Sequence, residues 1–260
     1  MPRPTVPFSP EERLVFQHIP KTAGTSLQSA LCQMFQPEEF LHFNSWDGAT
    51  DDQIRQARFI SGHITSSDIA RVPEPKRVVT ILRDPKDRIL SLYYFWRSMT
   101  DDYVDRLGEP GPVLAKQRSL IEFLQSEELF IRYHVDNALV RSFLTADSYP
   151  LPSTYGSLPP EELAEHALRQ LRTYFFVGFQ ERFDEDYVAI QLSLGLAPQP
   201  MARHNVMADV TAEDGDFEPV DRELMTPEIQ KALAQLTSAD TIFYEAARAE
   251  GATLRPKAAR

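Results

Sequence analysis

"HIPKTAGTSL", residues 18–27, follows the apolar run Leu14-Val15-Phe16 and leads into a stretch where Leu27, Ala30, Leu31 and Met34 recur at helical spacing. A strand that passes through a polar, glycine-bearing loop into a helix has the form of an anion cradle. Gly24 lets backbone approach the ligand, the helix opening near Thr25 aims free N–H groups and its dipole at it, and Lys21 adds a full charge. Thr22, Thr25 and Ser26 supply hydroxyl donors beside Ala23. A plainer reading makes Thr25 or Ser26 a helix cap and leaves Lys21 solvated, but the lysine ahead of the glycine weakens it. The stretch is not a Walker A sequence, which needs G-x-x-x-x-G-K-[ST], so a nucleoside-triphosphate kinase is disfavoured.

Outward from this loop, strands and helices alternate, the pattern of an α/β fold with a mainly parallel sheet flanked by helices. The spacing predicts a helix over 25–35, a short strand over 58–61 ending in "SGHITS", and a buried central strand at Val78-Val79-Thr80-Ile81-Leu82. Asp84 caps the helix that follows, Pro85 suits its first turn, and Ile89, Leu92, Tyr93 and Trp96 form its apolar stripe. Tyr93, Tyr94, Phe95 and Trp96 read as including core positions rather than a base-stacking platform. Residues 99–116 carry acids, glycine and proline without a period and read as a surface loop or mobile lid. Helices are expected over 120–124, 130–143 and 161–171, with a proline-rich connection before the last. A strand over 174–179 precedes a helix over 181–194, whose stripe is Phe183, Tyr187, Ile190 and Leu194 and whose stop is Gly195. Residues 197–220 read as loop, and Thr226 with Pro227 opens one long helix in a C-terminal helical part of about 221–250, before a frayed end.

The 260 residues, 42% hydrophobic, are enough for one sizeable core and are read as a single domain. Lysine and arginine number 27 against 38 acids, a net charge of −11 that argues against nucleic acid or an anionic membrane as partner. A polyanionic ligand must then meet a local basic patch. Cys32, the single cysteine, reads as a buried structural thiol in a reducing compartment. With neither a signal-like segment nor a membrane-length apolar stretch, the chain is expected to be cytoplasmic.

In open parallel sheets ligands bind beyond the carboxyl ends of the strands, and three such ends carry polar groups here: Lys21 to Ser26, His63 and Arg83. "PKTAGTS" resembles the 5′-phosphosulfate loop of sulfotransferases, and "ILRDPKDRILSLYYFWR" resembles their 3′-phosphate motif. The order of an "IPKTAGTS" loop, a Gly-His pair and "R-D-P-x-x-R-x-x-S" is similar to that of carbohydrate-type sulfotransferases, the heparan sulfate 2-O-sulfotransferases and their bacterial homologues. "YFFVGFQERFDEDYVAIQLSLGL" resembles a later block of that family, so the resemblance covers most of residues 14–196 discontinuously.

The resemblance implies a P-loop NTPase-like fold and 3′-phosphoadenosine 5′-phosphosulfate as donor, leaving as 3′-phosphoadenosine 5′-phosphate. Lys21, Thr22, Ala23, Gly24, Thr25 and Ser26 would hold the 5′-phosphosulfate, with Lys21 also neutralising the leaving oxygen, and Arg83 and Ser91 would hold the 3′-phosphate. Arg203, with Asn205, would reach the nucleotide from a late loop, and Asn137 and Arg141 resemble polar positions near the acceptor. His63 is the candidate general base, since a neutral imidazole suits removal of a hydroxyl proton near pH 7. Heparan-type relatives carry His-x-His where this chain has Ser61-Gly62-His63, which opens the question of the base's partner. His18 reads as a core or loop-supporting residue and Arg88 as solvated or paired with Asp84. His42, His134, His166 and His204 share no ligand spacing, and no catalytic metal is expected. The expected activity is in-line sulfuryl transfer to a hydroxyl acceptor, a carbohydrate or small metabolite. The competing readings are a divergent P-loop kinase with Asp84 on magnesium, and a nucleotide-binding protein without chemistry.

Overall fold

The computed structural model of the protein describes residues 8–144, 158–199, 215–251 and 253–255. Its centre is a five-stranded sheet in the order β2-β3-β1-β4-β5. The strands are β1 (Arg13–Gln17), β2 (Phe40–His42), β3 (Phe59–Gly62), β4 (Lys76–Leu82) and β5 (Phe176–Phe179), and every pairing is parallel. The α/β, mainly parallel class read from the sequence is therefore the observed one, with a strand, phosphate-type loop and helix as its opening unit. The edge strand β2 carried no apolar run long enough to signal itself.

Alternation along the strands divides the core. Leu14, Phe16, Val79 and Ile81 face α1 (Gly24–Cys32) and α11 (Phe183–Ser193), packing with Leu27, Leu31, Tyr187 and Ile190. Val15, Val78 and Val177 face the opposite layer, where α10 (Pro160–Leu171) and the last helix, α13 (Ser238–Glu250), contribute Leu168 and Phe243. Gln17 lies on this second face, fully buried, with each polar atom engaged. Its amide donates to Ile64 O at 2.9 Å and Ser142 O at 2.7 Å, and its carbonyl accepts from Tyr174 Oη at 2.7 Å. Between strands lie α2 (Asp51–Gln56) and α3 (Ser66–Ala70), short helices opened by capping boxes at Thr50 and Thr65. Cys32 is half-buried rather than buried, and burial pushes its thiol up.

After β4 the chain builds a helical layer: α4 (Pro85–Arg97), α5 (Asp101–Leu107), α6 (Pro110–Gln117), α7 (Leu120–Leu124), α8 (Leu129–Val135) and α9 (Ala138–Arg141). The expected loop over 99–116 is thus two helices. Thr100 and two acids open α5, Gly108 at φ 65° closes it, Pro110 opens α6, and Val104 and Ala115 are buried in the cluster around α4. Each helix is too short to show a full apolar period, so the capping residues were the legible signal. The expected helix over 130–143 breaks between α8 and α9, where Asn137 adopts φ 44°. The expected single C-terminal helix is likewise two, α12 (Pro227–Leu236) and α13, separated at the buried Thr237. The proline-rich connection and the terminal "RPKAAR" lie largely outside the described residues.

Both breaks serve one contact. Asp240, in the first turn of α13, accepts from Leu139 N at 3.1 Å and Val140 N at 2.8 Å, while Asn137 Oδ1 accepts from Ala239 N at 2.8 Å and Asp240 N at 3.2 Å. Each helix start is capped by a side chain of the other. Burial raises the Asp240 carboxyl to about 6, and the buried Arg88 pulls the other way. Replacing Asp240 with alanine strands two buried N–H groups and is expected to cost about 2–4 kcal/mol. The urea midpoint of Asp240→Ala against Asp240→Asn, which keeps one acceptor, measures this.

Candidate active site

The connection out of β1 leads toward β2 on one side of the sheet and that out of β4 toward β5 on the other, so the gap between β1 and β4 is the topological switch point. The loop after β1 and the residue after β4 meet there, where Arg83 Nη1 donates to Lys21 O at 3.1 Å. The cleft above this point has a volume of about 1880 Å³. Lys21, Ala23, Gly24, Thr25, Ser26, Arg83 and Ser91 all line it, so the two predicted phosphate sites share one wall.

Lys21 at φ 68° and Ala23 at φ 65° are left-handed, a conformation that costs a side-chain-bearing residue about 1–3 kcal/mol and turns successive N–H groups toward one concavity. Three contacts hold the loop there. Thr22 is fully buried and its hydroxyl donates to Ile19 O at 2.9 Å, so its side chain pins the loop and does not face the cleft as expected. Gly24 lies against the His18 ring, where an added Cβ would fall 2.2 Å from Cδ2. The Arg83 contact is the third. No acid occupies the first turn of α1, leaving its positive end uncompensated.

Lys21 Nζ sits 3.4 Å from the centroid of the Phe95 ring. Burial, followed by the charge of Arg83, lowers its pKa to about 7, and burial also lowers that of Arg83. Phe95 and the largely buried Trp96 line the cleft, while Tyr93 and Tyr94 are buried as read from the sequence.

His63 follows β3, one strand from the loop. Its N–H donates to Asn44 Oδ1 at 3.0 Å, and its carbonyl accepts from Ser45 N at 3.1 Å. Burial first, then the nearby His42, His134 and Lys21, lower its pKa to about 4, so the ring is neutral at pH 7 with a lone pair available. Ser61 is fully buried in β3, its hydroxyl without a hydrogen-bond partner among the described residues. The imidazole beside His63 comes instead from the neighbouring strand. Gln17 is in register with Gly62, and the His18 ring stands 5.0 Å from that of His63, centroid to centroid. His18 thus supports the loop, as expected, and also faces the cleft. Burial lowers its pKa to about 3.

Other expected positions fall differently. Asp84 caps α4, accepting from Lys86 N at 2.9 Å and Asp87 N at 3.1 Å. Arg88 is buried rather than solvated and donates to His134 O at 2.8 Å. Arg141, also buried, donates to Tyr133 O, so both guanidiniums satisfy carbonyls at the end of α8. Asn137 is a cap. Arg203 and Asn205 lie outside the described residues. Arg222 was not foreseen: residues 216–223 cross α4, with Thr100 N donating to Asp216 O at 2.9 Å and Tyr93 Oη to Glu223 Oε1 at 2.7 Å. This sets its guanidinium 5.3 Å from the Tyr94 ring centroid and on the cleft. No spacing in the sequence links 222 to 94.

A model of the sulfotransferase family matches residues 4–117, which hold the Lys21 loop, His63, Arg83 and Ser91. Heparan sulfate 2-O-sulfotransferase 1 of Homo sapiens is 28% identical over 123 residues, covering 39% of this chain and 34% of that protein. The Cricetulus griseus protein of the same name is 29% identical over the same coverage. The chain spans about a third of the length of these curated relatives. Among solved structures, a sulfotransferase from Alicyclobacillus acidocaldarius has a TM-score of 0.46 and 15% identity, covering 92% of this chain and 97% of that one. A mouse sulfotransferase complexed with PAP has a TM-score of 0.40 and 14% identity, covering 95% of this chain and 89% of that one. The sulfotransferase resemblance read from the motifs is matched by the family model over residues 4–117, and heparan sulfate 2-O-sulfotransferases, the relatives read from the motif order, are among the similar proteins.

The packing of Gly24 on His18 yields a test. Gly24→Ala is expected to weaken binding of 3′-phosphoadenosine 5′-phosphate by at least about tenfold by displacing the cradle backbone. Adding His18→Ala, which opens the space, is expected to restore much of it. Calorimetry on the two variants checks both; wild-type affinity in the single variant refutes the close-packing argument.

Proposed function

We propose that the protein is a sulfotransferase moving a sulfuryl group from 3′-phosphoadenosine 5′-phosphosulfate to a hydroxyl acceptor. The observation that carries this reading is the Arg83 to Lys21 contact across the switch point. A phosphate cradle and a guanidinium on adjacent strand ends, with Ser91 on the same wall, fit a nucleotide bearing anions at both its 5′ and 3′ positions. The kinase alternative needs Asp84 for magnesium, yet that carboxylate is engaged at the start of α4.

Lys21 through Ser26 hold the 5′-phosphosulfate, chiefly by backbone N–H groups and the end of α1, and Arg83 and Ser91 hold the 3′-phosphate, with Arg203 proposed beside them. Bound, the donor supplies an activated sulfuryl group. As the acceptor oxygen bonds to sulfur and the bond to the bridging oxygen breaks, His63 takes the hydroxyl proton and Lys21 stabilises the charge left on the phosphate. The negative charge of the donor raises the pKa of His63 from about 4 toward the range where an imidazole is an effective base. A carbohydrate or small-metabolite hydroxyl is the proposed acceptor class.

Calorimetric titration tests the donor site: 3′-phosphoadenosine 5′-phosphate is expected to bind, and magnesium-ADP to bind more weakly. Preference for magnesium-ADP would put the kinase reading first. His63→Ala is expected to slow turnover by about 10²- to 10⁴-fold with bisphosphate affinity unchanged.

Lys21 gives a pH signature. Its pKa of about 7 must rise when an anion binds, so binding takes up a proton above pH 7. Bisphosphate affinity is therefore expected to fall by up to about tenfold per pH unit from pH 7 toward 9. In Lys21→Arg, whose guanidinium stays charged, the profile is expected to flatten.

A further inference from the structure

The cleft that holds the phosphate loop also carries an apolar wall. Trp46, Leu107 and Leu129 are 58%, 40% and 71% exposed, and all three open onto the cleft. Phe130 and Tyr133 of α8 and Met99 complete this wall. Scattered exposed apolar side chains need no explanation, but a group of them on one concave surface marks a binding site. The wall is well packed: the Trp96 and Phe130 rings lie 6.0 Å apart, and a Cβ on Gly111 would fall 2.8 Å from both. It also reaches the base, since the Trp46 ring centroid is 5.6 Å from that of His63.

Among the described residues lining the cleft, the lysine and arginines are Lys21, Arg83, Arg182 and Arg222. The first three follow β1, β4 and β5, and Arg222 lies beside Arg83, so they gather around the strand ends. The acids lining the cleft are Asp68, Glu109, Glu181, Asp184 and Glu185, the last three within three residues of Arg182. Arg88 and Arg141 line only a side cavity of about 50 Å³ and donate to carbonyls of α8.

We infer that the acceptor is an uncharged alcohol with an apolar body, aromatic or alkyl, that packs on the Trp46, Leu107 and Leu129 wall and presents its hydroxyl to His63. A glycan carrying sulfates or uronates would meet five acids beside the cleft's four lysine and arginine side chains, of which the donor's own anions already occupy Lys21 and Arg83 in the proposed reaction, and would leave the apolar wall uncovered. The inference rests on the sulfotransferase reading for the role of His63, but the binding surface can be tested without it.

The chain's two tryptophans, Trp46 and Trp96, both line this cleft, so intrinsic fluorescence reports on it. Titrating the full chain with n-octanol is expected to give a saturable change. Leu129→Glu is expected to weaken that response by about tenfold or more. Leu129 is exposed at the start of α8, where a carboxylate suits the helix dipole, so the fold is retained. Affinity for 3′-phosphoadenosine 5′-phosphate, measured on the same samples, is expected to be unchanged. No saturable response, or one that Leu129→Glu leaves intact, overturns the inference even if the bisphosphate binds. An octanol response that behaves as expected without bisphosphate binding overturns the donor reading and leaves the apolar site standing. In a transfer assay, sulfation of a desulfated heparan-type polysaccharide but not of n-octanol overturns the inference.

Discussion

Parallel pairing of β1 with both of its neighbours is the constraint on which the site depends. Gln17 is level with Gly62 on one side and Thr80 on the other, so β1, β3 and β4 deliver the Lys21 loop, His63 and Arg83 to one edge of the sheet. Because the chain leaves β1 and β4 in opposite directions, their connections diverge and leave a gap between these two strand ends. Gln17 fixes this end of β1 from beneath, tied through its amide to Ile64, Ser142 and Tyr174. A one-residue slip of β1 would turn Gln17 away from those partners and move His18 away from His63.

The chain solves an electrostatic problem locally. With a net charge of −11 it places Lys21, Arg83 and Arg222 on the cleft beside the start of α1, so the proposed anion meets cations and a helix N-terminus inside an acidic molecule. The location carries a cost: Lys21, desolvated by burial and close to Arg83, loses its proton more easily than an exposed lysine. The left-handed residues Lys21 and Ala23 add strain, offset by the Thr22 and Arg83 hydrogen bonds and by the packing of His18 under Gly24. The loop is thereby held in one shape by contacts within the chain, which suits the charge stabilisation that the proposed transfer asks of it.

The helical layer from α4 to α9 does a separate job. It brings Ser91 and Phe95 of α4 and Leu129, Phe130 and Tyr133 of α8 to the cleft, and its short helices are fixed from outside, by the reciprocal Asn137 and Asp240 caps and by Arg88 and Arg141 on the end of α8. Short helices gain little from intrinsic propensity, so such contacts decide where they start and stop. This is why residues 99–116 read as a loop and 130–143 as one helix: the deciding partners, such as Asp240, lie about a hundred residues away.

The sequence by itself determined the alternation of strands and helices, the anion cradle at 18–27, the Asp84 cap and the residues gathered at the strand ends, because each is written in a local spacing or a local residue choice. Only the tertiary structure decided that His18 stands beside His63 while Ser61 is buried, that Thr22 turns inward, that Arg222 reaches the cleft across α4, and that Trp46, Leu107 and Leu129 share a wall. Those relations join residues from different strands and helices. They follow from register and packing, which no local pattern records.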